Sequence, residues 1–317
     1  MWNKLLVQNL TVWTAEKSAK LHKCSDNIVD IINSDPDKYS FSRFPDYYWE
    51  TLDSPFPQLP SGVYRNTNID HNWVLVETTL KKRESYVELD LTQIVKDDFK
   101  QFLSHKHIYE ELGADYRRGV LLYGPPGTGK SFLVNNIISD LSLNDAIVIF
   151  TPNALSLSYV ENFRLDNRLK IIVFEEFTNS LGRDGHDYFA SDEVLDLLDG
   201  ETTLDNTFVI ATTNYPEKLP KNLVERPGRL DKFYKIGYLT ANDIKNYLNF
   251  YNIPVEKEIL DCTELTIAQL KEIIILTRLE DLSFKQAIQK LEDHRKLVEN
   301  EFQEFKGRVG FTDSDDD

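Results

Sequence analysis

The stretch Gly124-Pro125-Pro126-Gly127-Thr128-Gly129-Lys130-Ser131 holds every fixed position of the phosphate-binding pattern G-x-x-x-x-G-K-[ST], and it follows an apolar run, Gly119-Val-Leu-Leu-Tyr123. Glycines in this loop let successive backbone N–H groups curl around a β-phosphate without Cβ clashes. The helix that starts near Lys130 turns its positive dipole end toward the same anion. Lys130 adds a mobile positive charge. Ser131 offers a hydroxyl to Mg2+, an ion that prefers oxygen ligands and keeps several waters, so the metal is expected to arrive with the nucleotide. The flanking strand and the helical pattern Phe132, Leu133, Ile137, Ile138 are the context the motif requires. The loop from Gly124 to Phe132 is therefore expected to bind a nucleoside triphosphate.

Working outward, the apolar strand Lys170-Ile-Ile-Val-Phe174 ends in Glu175-Glu176. In α/β sheets ligands bind beyond the carboxyl ends of the strands, where these two acids are delivered. Glu175 is expected to hold Mg2+ through water, and Glu176 to polarise the water that attacks the γ-phosphate. The strand Thr207-Phe-Val-Ile-Ala-Thr-Thr-Asn214 ends in an amide that both donates and accepts, so Asn214 can sit between that water and the phosphate. After it, Arg226 and Arg229 flank a Pro-Gly turn. They suit charge stabilisation supplied to a neighbouring subunit as an arginine finger.

Four regions follow from the patterning. Residues 1–86 read as a separate α+β amino-terminal region, with a helix expected over 14–32, a proline-rich stretch at 36–60, and a hairpin pairing 73–77 with 86–90. All four tryptophans, Trp2, Trp13, Trp49 and Trp73, fall in it, which suits either a packed core or an aromatic surface that grips a partner. Residues 87–238 alternate helices with apolar strands, at 119–123, 146–150, 169–174, 207–212 and 233–236, as in a parallel sheet covered on both faces. Residues 239–305 read as a small helical domain, and 306–317 as an acidic tail.

With 36 Lys plus Arg against 52 Asp plus Glu, the 317-residue chain carries a net charge of −16, so broad binding to phosphate backbones is disfavoured. No uncharged apolar run of about 18 residues occurs, and the start Met1-Trp-Asn-Lys-Leu-Leu lacks the features of a secretion signal. Cys24 and Cys262 stand far apart without metal spacing. The expectation is a protein of the reducing cytoplasm, with no membrane partner and no structural zinc.

The phosphate loop, the acidic pair, Ala211-Thr-Thr-Asn214 and Arg226-Pro-Gly-Arg229 occur in an order and spacing that resembles AAA+ ATPases of the AAA clade, over roughly residues 100–290. Within the clade, Tyr116-Arg-Arg-Gly-Val-Leu-Leu-Tyr123 and the run from Arg226 to Tyr238 look most like the subfamily of mitochondrial Rieske-protein translocases of cytochrome bc1 assembly. The membrane span of that subfamily is missing from this sequence. The resemblance implies a five-stranded parallel sheet of order 5-1-4-3-2, a helical lid, ATP with Mg2+ as cofactors, and a homo-oligomeric ring, usually a hexamer, in which Arg226 and Arg229 reach a neighbour's nucleotide. Two departures stand out. Glu175 occupies a position where most members have Asp, and the pore-loop position falls on Tyr159-Val160-Glu161 with Glu in place of glycine.

The reading that follows is an ATP-hydrolysing ring that remodels, disassembles or translocates a protein client held by residues 1–86. The alternative, an ATP-dependent loader or switch in a nucleic-acid complex, needs a basic channel, yet Arg183 and His186 are outnumbered by Asp184, Asp187 and Asp192.

Overall fold

The structure is a computed structural model, and the residues described are 10–13, 18–23, 39–41, 47–51, 61–69, 72–80, 90–140, 145–151, 167–178, 205–224 and 229–309. The chain makes two units, one of Met1–Tyr86, Leu91–Gly124 and Lys130–Ile236, the other of Val87–Asp90, Pro125–Gly129 and Gly237–Asp317.

The first unit is built on one sheet. Its strands are β1 (Leu10–Trp13), β2 (Ser18–Lys23), β3 (Tyr39–Phe41), β4 (Tyr47–Thr51), β5 (Gly62–Ile69), β6 (Asn72–Glu77), β7 (Arg117–Tyr123), β8 (Ala146–Thr151), β9 (Leu169–Phe174), β10 (Thr207–Thr213) and β11 (Lys232–Lys235). The spatial order is β11-β7-β10-β9-β8-β5-β6-β1-β2-β4-β3. The first five of these strands pair in parallel and reproduce the expected order 5-1-4-3-2. The four strands from β7 to β8 in that order are largely apolar because both faces are covered, whereas β11 at the edge, Lys232-Phe-Tyr-Lys235, is not buried. Every residue of β8 and β10 is buried. Alternate residues (Val120, Leu122, Val148, Phe150, Ile171, Val173, Phe208 and Ile210) share one core with Val95, Phe99 and Phe102 of helix α1 (Asp90–Ser104) and Leu133, Val134, Ile137 and Ile138 of the helix that follows the phosphate loop. Tyr116 stacks on Phe102 at 4.3 Å between centroids and donates its hydroxyl to the Phe102 carbonyl at 2.7 Å. Asp98 on α1, buried, faces Arg118 Nη1 at 3.7 Å and Lys232 Nζ at 3.6 Å, which ties the helix to β7 and β11.

The sheet does not stop at β8. Strand β5 pairs parallel to it, Arg65 opposite Phe150, and β6, β1, β2, β4 and β3 continue in antiparallel fashion. The boundary expected at residue 86 is thus crossed by hydrogen bonds between strands. Two local expectations are corrected. Residues 18–23, expected in a helix over 14–32, form β2, whose alternation Ala19, Leu21 pairs with β1 and β4. Residues 73–77 form a hairpin with 62–69 instead of 86–90, because β5 offers six paired positions, Tyr64–Ile69 against Asn72–Glu77, while Asp90 starts α1. The remainder of 14–32 and residues 86–89 lie outside the described residues.

The second unit has its own core, Ile244, Tyr247, Leu248, Ile259, Leu270, Ile273, Ile274, Phe284 and Ala287 from helices at Ala241–Phe250, Lys257–Leu260, Ile267–Leu279 and Phe284–Val309, with Leu239 and Leu265 from the segments that precede two of them. Three of these helices start with reciprocal caps, Thr240 with Asp243, Thr266 with Gln269 and Ser283 with Gln286, each satisfying backbone N–H groups that the first turn leaves unpaired. Among the described residues no helix is long and apolar enough to cross a membrane.

Candidate nucleotide site

Parallel pairing brings the carboxyl ends of β7, β9 and β10 side by side, with Thr213 opposite Tyr123 and Ala211 opposite Phe174. The residues that follow those ends are Gly124, Glu175 with Glu176, and Asn214. Four of the expected site residues are therefore gathered by topology before any side chain is considered.

Gly124, Gly127 and Gly129 have φ of 146°, 79° and 98°, backbone that side chains rarely adopt. A Cβ at Gly124 would lie 2.1 Å from the Ile236 carbonyl oxygen. Thr128 closes the loop on itself by donating its hydroxyl to the Pro125 carbonyl at 2.9 Å. Gly127 accepts a hydrogen bond from Ala268 N–H at 3.1 Å, and a Cβ there would meet Thr266 and Ala268 at 3.3 and 3.2 Å. The segment Thr266-Ile-Ala268 is thus the segment that packs on the phosphate loop.

Lys130 is buried and donates from Nζ to the Gly124 carbonyl at 2.7 Å. Burial lowers its pKa from the ordinary lysine value, and the nearby Glu176 carboxylate opposes that shift. Ser131, one residue on, is exposed, and Phe132 is half-buried. The serine hydroxyl and the Glu175 carboxylate are both oxygen donors and suit magnesium. Glycines with positive φ, an ammonium at the helix start and these oxygens fit a bound Mg2+-nucleotide.

Glu176 is exposed and sits in the left-handed region at φ 54°, unusual for a residue with a side chain. Its backbone N–H donates to Thr212 Oγ1 at 3.2 Å. Asn214 Nδ2 donates to both carboxylate oxygens, at 2.9 and 3.0 Å. A carboxylate only accepts, so the amide must present its NH2 to it. Thr213 supports this edge from below, its hydroxyl meeting Thr178 Oγ1 and Tyr215 N–H at 3.0 Å each.

Arg65 was not among the expected site residues. Its Nη1 lies 3.4 Å from Glu175 Oε2, and its guanidinium stands over the Phe150 ring, 5.2 Å from the centroid. A lone arginine in a strand carries no pattern that points to a site. The threonine pair at the end of β10 does carry a signal, since two hydroxyls interrupt an apolar run just before the amide.

Of the arginine pair, Arg229 lies among the described residues. Arg229 is only 5% exposed, in the segment held against β7, where Gly119 and Asp231 exchange hydrogen bonds. Its guanidinium is enclosed by its own chain in this conformation, which differs from the outward reach expected of it. Arg226 and Tyr159 lie outside the described residues.

Residues 120–238 match the model of the ATPase family associated with various cellular activities (AAA). The chain is 30% identical over 174 residues to the "Probable mitochondrial chaperone bcs1" of Schizosaccharomyces pombe, covering 52% of this chain and 38% of that protein. It is 27% identical over 285 residues to "Protein HYPER-SENSITIVITY-RELATED 4" of Arabidopsis thaliana, covering 80% and 49%. The "Mitochondrial chaperone BCS1" of Danio rerio is 29% identical over 165 residues, covering 48% and 39%. The chain spans half or less of the length of these relatives.

Proposed function

We propose that the chain, which carries an AAA ATPase domain at residues 120–238, hydrolyses ATP with Mg2+ as one subunit of a homo-oligomeric ring, expected to be a hexamer, and uses the energy to remodel a protein client. The observation that carries this reading is the Asn214 clasp on Glu176, set on the same sheet edge as Lys130 and Glu175. Gly124 to Phe132 hold the triphosphate, with Lys130 swinging from the Gly124 carbonyl onto phosphate oxygens. Ser131 and Glu175 would hold Mg2+, which would supply charge neutralisation on the phosphates. Glu176 orients the attacking water and takes its proton. For this it must free one carboxylate oxygen from Asn214, whose amide then turns to the γ-phosphate.

Positive charge for the transition state comes from Arg226 of a neighbouring subunit. Arg229, enclosed in its own chain, sets the position of that turn. Such an arginine is worth about 10³–10⁵ in rate, so activity requires the ring. Two of the relatives are named as mitochondrial chaperones, which supports a protein client; residues 1–60 are proposed to choose it, and the cytoplasm is the proposed setting.

The test is ATPase rate against protein concentration and mixing ratio, with a Lys130→Ala control that loses nucleotide binding. Arg226→Ala subunits mixed with Glu176→Gln subunits should recover activity that neither has alone. A fully active monomer, or mixtures no better than either variant, overturns the ring. Client capture should persist on Glu176→Gln in ATP and vanish when residues 1–60 are deleted, a cut that leaves β5 on β8. Retained capture overturns the assignment of that region.

A further inference from the structure

Among the described residues the cation paired with the metal-side carboxylate is contributed from outside the AAA core. Arg65 belongs to β5, which precedes the residues 120–238 that match the family model, and its register opposite Phe150 fixes where it projects. Strand β8 brings the Phe150 ring under the guanidinium, and β9 ends at Phe174, so Glu175 comes into reach on the other side. The arginine is 54% and the carboxylate 31% exposed in their side chains, so neither is locked by burial. A guanidinium delocalises its charge and stacks on a ring while keeping donors in a planar fork, a combination lysine lacks.

We propose that Arg65 is a positioning residue for Glu175. It holds the carboxylate before Mg2+-nucleotide arrives and competes with Mg2+ for it, so that a strand of the amino-terminal region sets the magnesium requirement of the site. This rests on Glu175 being the magnesium carboxylate. Mg2+ loading obliges Glu175 to leave the guanidinium or to share its charge between two cations. Either way the metal binds less tightly than it would to an unpaired carboxylate. A half-exposed pair of this kind contributes a modest amount, which corresponds to about a two- to fivefold change in affinity. Because the competitor is carried on the sheet, any displacement of β5 along β8 changes how strongly it competes.

The test uses the full chain and a fluorescent, slowly hydrolysed ATP analogue, titrated with Mg2+ and read as nucleotide binding. Arg65→Gln should lower the Mg2+ concentration at half-saturation about two- to fivefold. It should leave nucleotide binding in excess EDTA within about twofold of the parent. Glu175→Gln should raise the Mg2+ requirement, and in that background Arg65→Gln should have no further effect. Arg65→Lys, which keeps the charge and loses the fork, should fall between parent and Gln. An unchanged or increased Mg2+ requirement in Arg65→Gln, with Glu175→Gln behaving as stated, overturns the competition alone. The same is true of an equal Arg65→Gln shift in the Glu175→Gln background, or of equal weakening with and without Mg2+. A Glu175→Gln variant with the parent's Mg2+ requirement overturns the assignment of Glu175 and the inference with it.

Discussion

Gly119→Ala should be among the most damaging single-methyl additions in the molecule. A Cβ built on Gly119 lies 1.8 Å from the Arg229 carbonyl oxygen, 2.8 Å from its carbonyl carbon and 3.0 Å from Leu230 Cα, all of them backbone atoms. Relieving the first contact to 3.0 Å requires a backbone shift of at least about 1.2 Å, the difference between those two distances. The segment cannot make that shift and keep its hydrogen bonds. Asp231 N–H donates to the Gly119 carbonyl at 2.7 Å, and Gly119 N–H donates to Asp231 Oδ2 at 3.0 Å. Losing the two bonds costs about 1–3 kcal/mol together, and overpacking adds about 1–3, so the expected destabilisation is about 2–6 kcal/mol. Urea unfolding followed by tryptophan fluorescence measures it. Trp13, Trp49 and Trp73 stand in β1, β4 and β6 of the sheet, and the helical unit from Gly237 onward contains no tryptophan, so the signal reports the sheet unit. Gly62→Ala is the control, because a Cβ there meets only the Tyr64 ring and hydroxyl at ordinary contact, 3.5–3.7 Å. It should change stability by less than about 1 kcal/mol. A Gly119→Ala protein within about 1 kcal/mol of the parent, at the same urea dependence, refutes the packing of Arg229 against β7.

Two further expectations concern titration and strain. Burial pushes the phenols of Tyr64 and Tyr116 up to about 12 from 10.0. The unfolded chain therefore releases these protons first as pH rises. Their contribution to stability is complete below pH 10 and is lost between about pH 10 and 12, at up to about 1.4 kcal/mol per pH unit for each ring. Unfolding free energies measured over that window should fall, and Tyr116→Phe should flatten the fall; a flat profile in the parent contradicts the burial of these rings. At Glu176, with φ of 54°, the variant Glu176→Gly should be about 1 kcal/mol more stable than Glu176→Ala although neither turns over ATP, since glycine adopts that backbone freely. Equal denaturation midpoints would show that the turn is unstrained.

Much of the parallel-sheet core could be read directly because its signals are local. The phosphate loop is a contiguous pattern, and Glu175-Glu176 and Asn214 each end an apolar strand, so strand order alone brought them together. The 5-1-4-3-2 order came with the family resemblance and was found in the sheet. The amino-terminal strands were harder for a physical reason. Ser18–Lys23 is too short and polar for its alternation to outweigh helix-forming neighbours, and only its pairing with Leu10–Trp13 and Tyr47–Thr51 makes it a strand. Arg65 was invisible for the same reason, since its meaning depends on Phe150 and Glu175, far away in sequence. The enclosure of Arg229 depends on a close backbone approach to Gly119, 110 positions earlier in the chain (229 minus 119), which no local pattern encodes.

The pairing of β5 with β8 also bears on how the chain is made. Asn66 and Thr151, which share a buried hydrogen bond of 3.2 Å across these strands, are 85 residues apart. At about 5–20 residues per second, synthesis leaves roughly 4–17 s between the two segments. Throughout that interval β5 has emerged from the ribosome with one edge unmatched, a template for any passing strand. The partner that finally covers it closes a long loop, a slow step in folding. Heat or truncation that releases β8 would reopen that edge, and the first material to aggregate would then be nascent or partly unfolded chains joined through their amino-terminal strands.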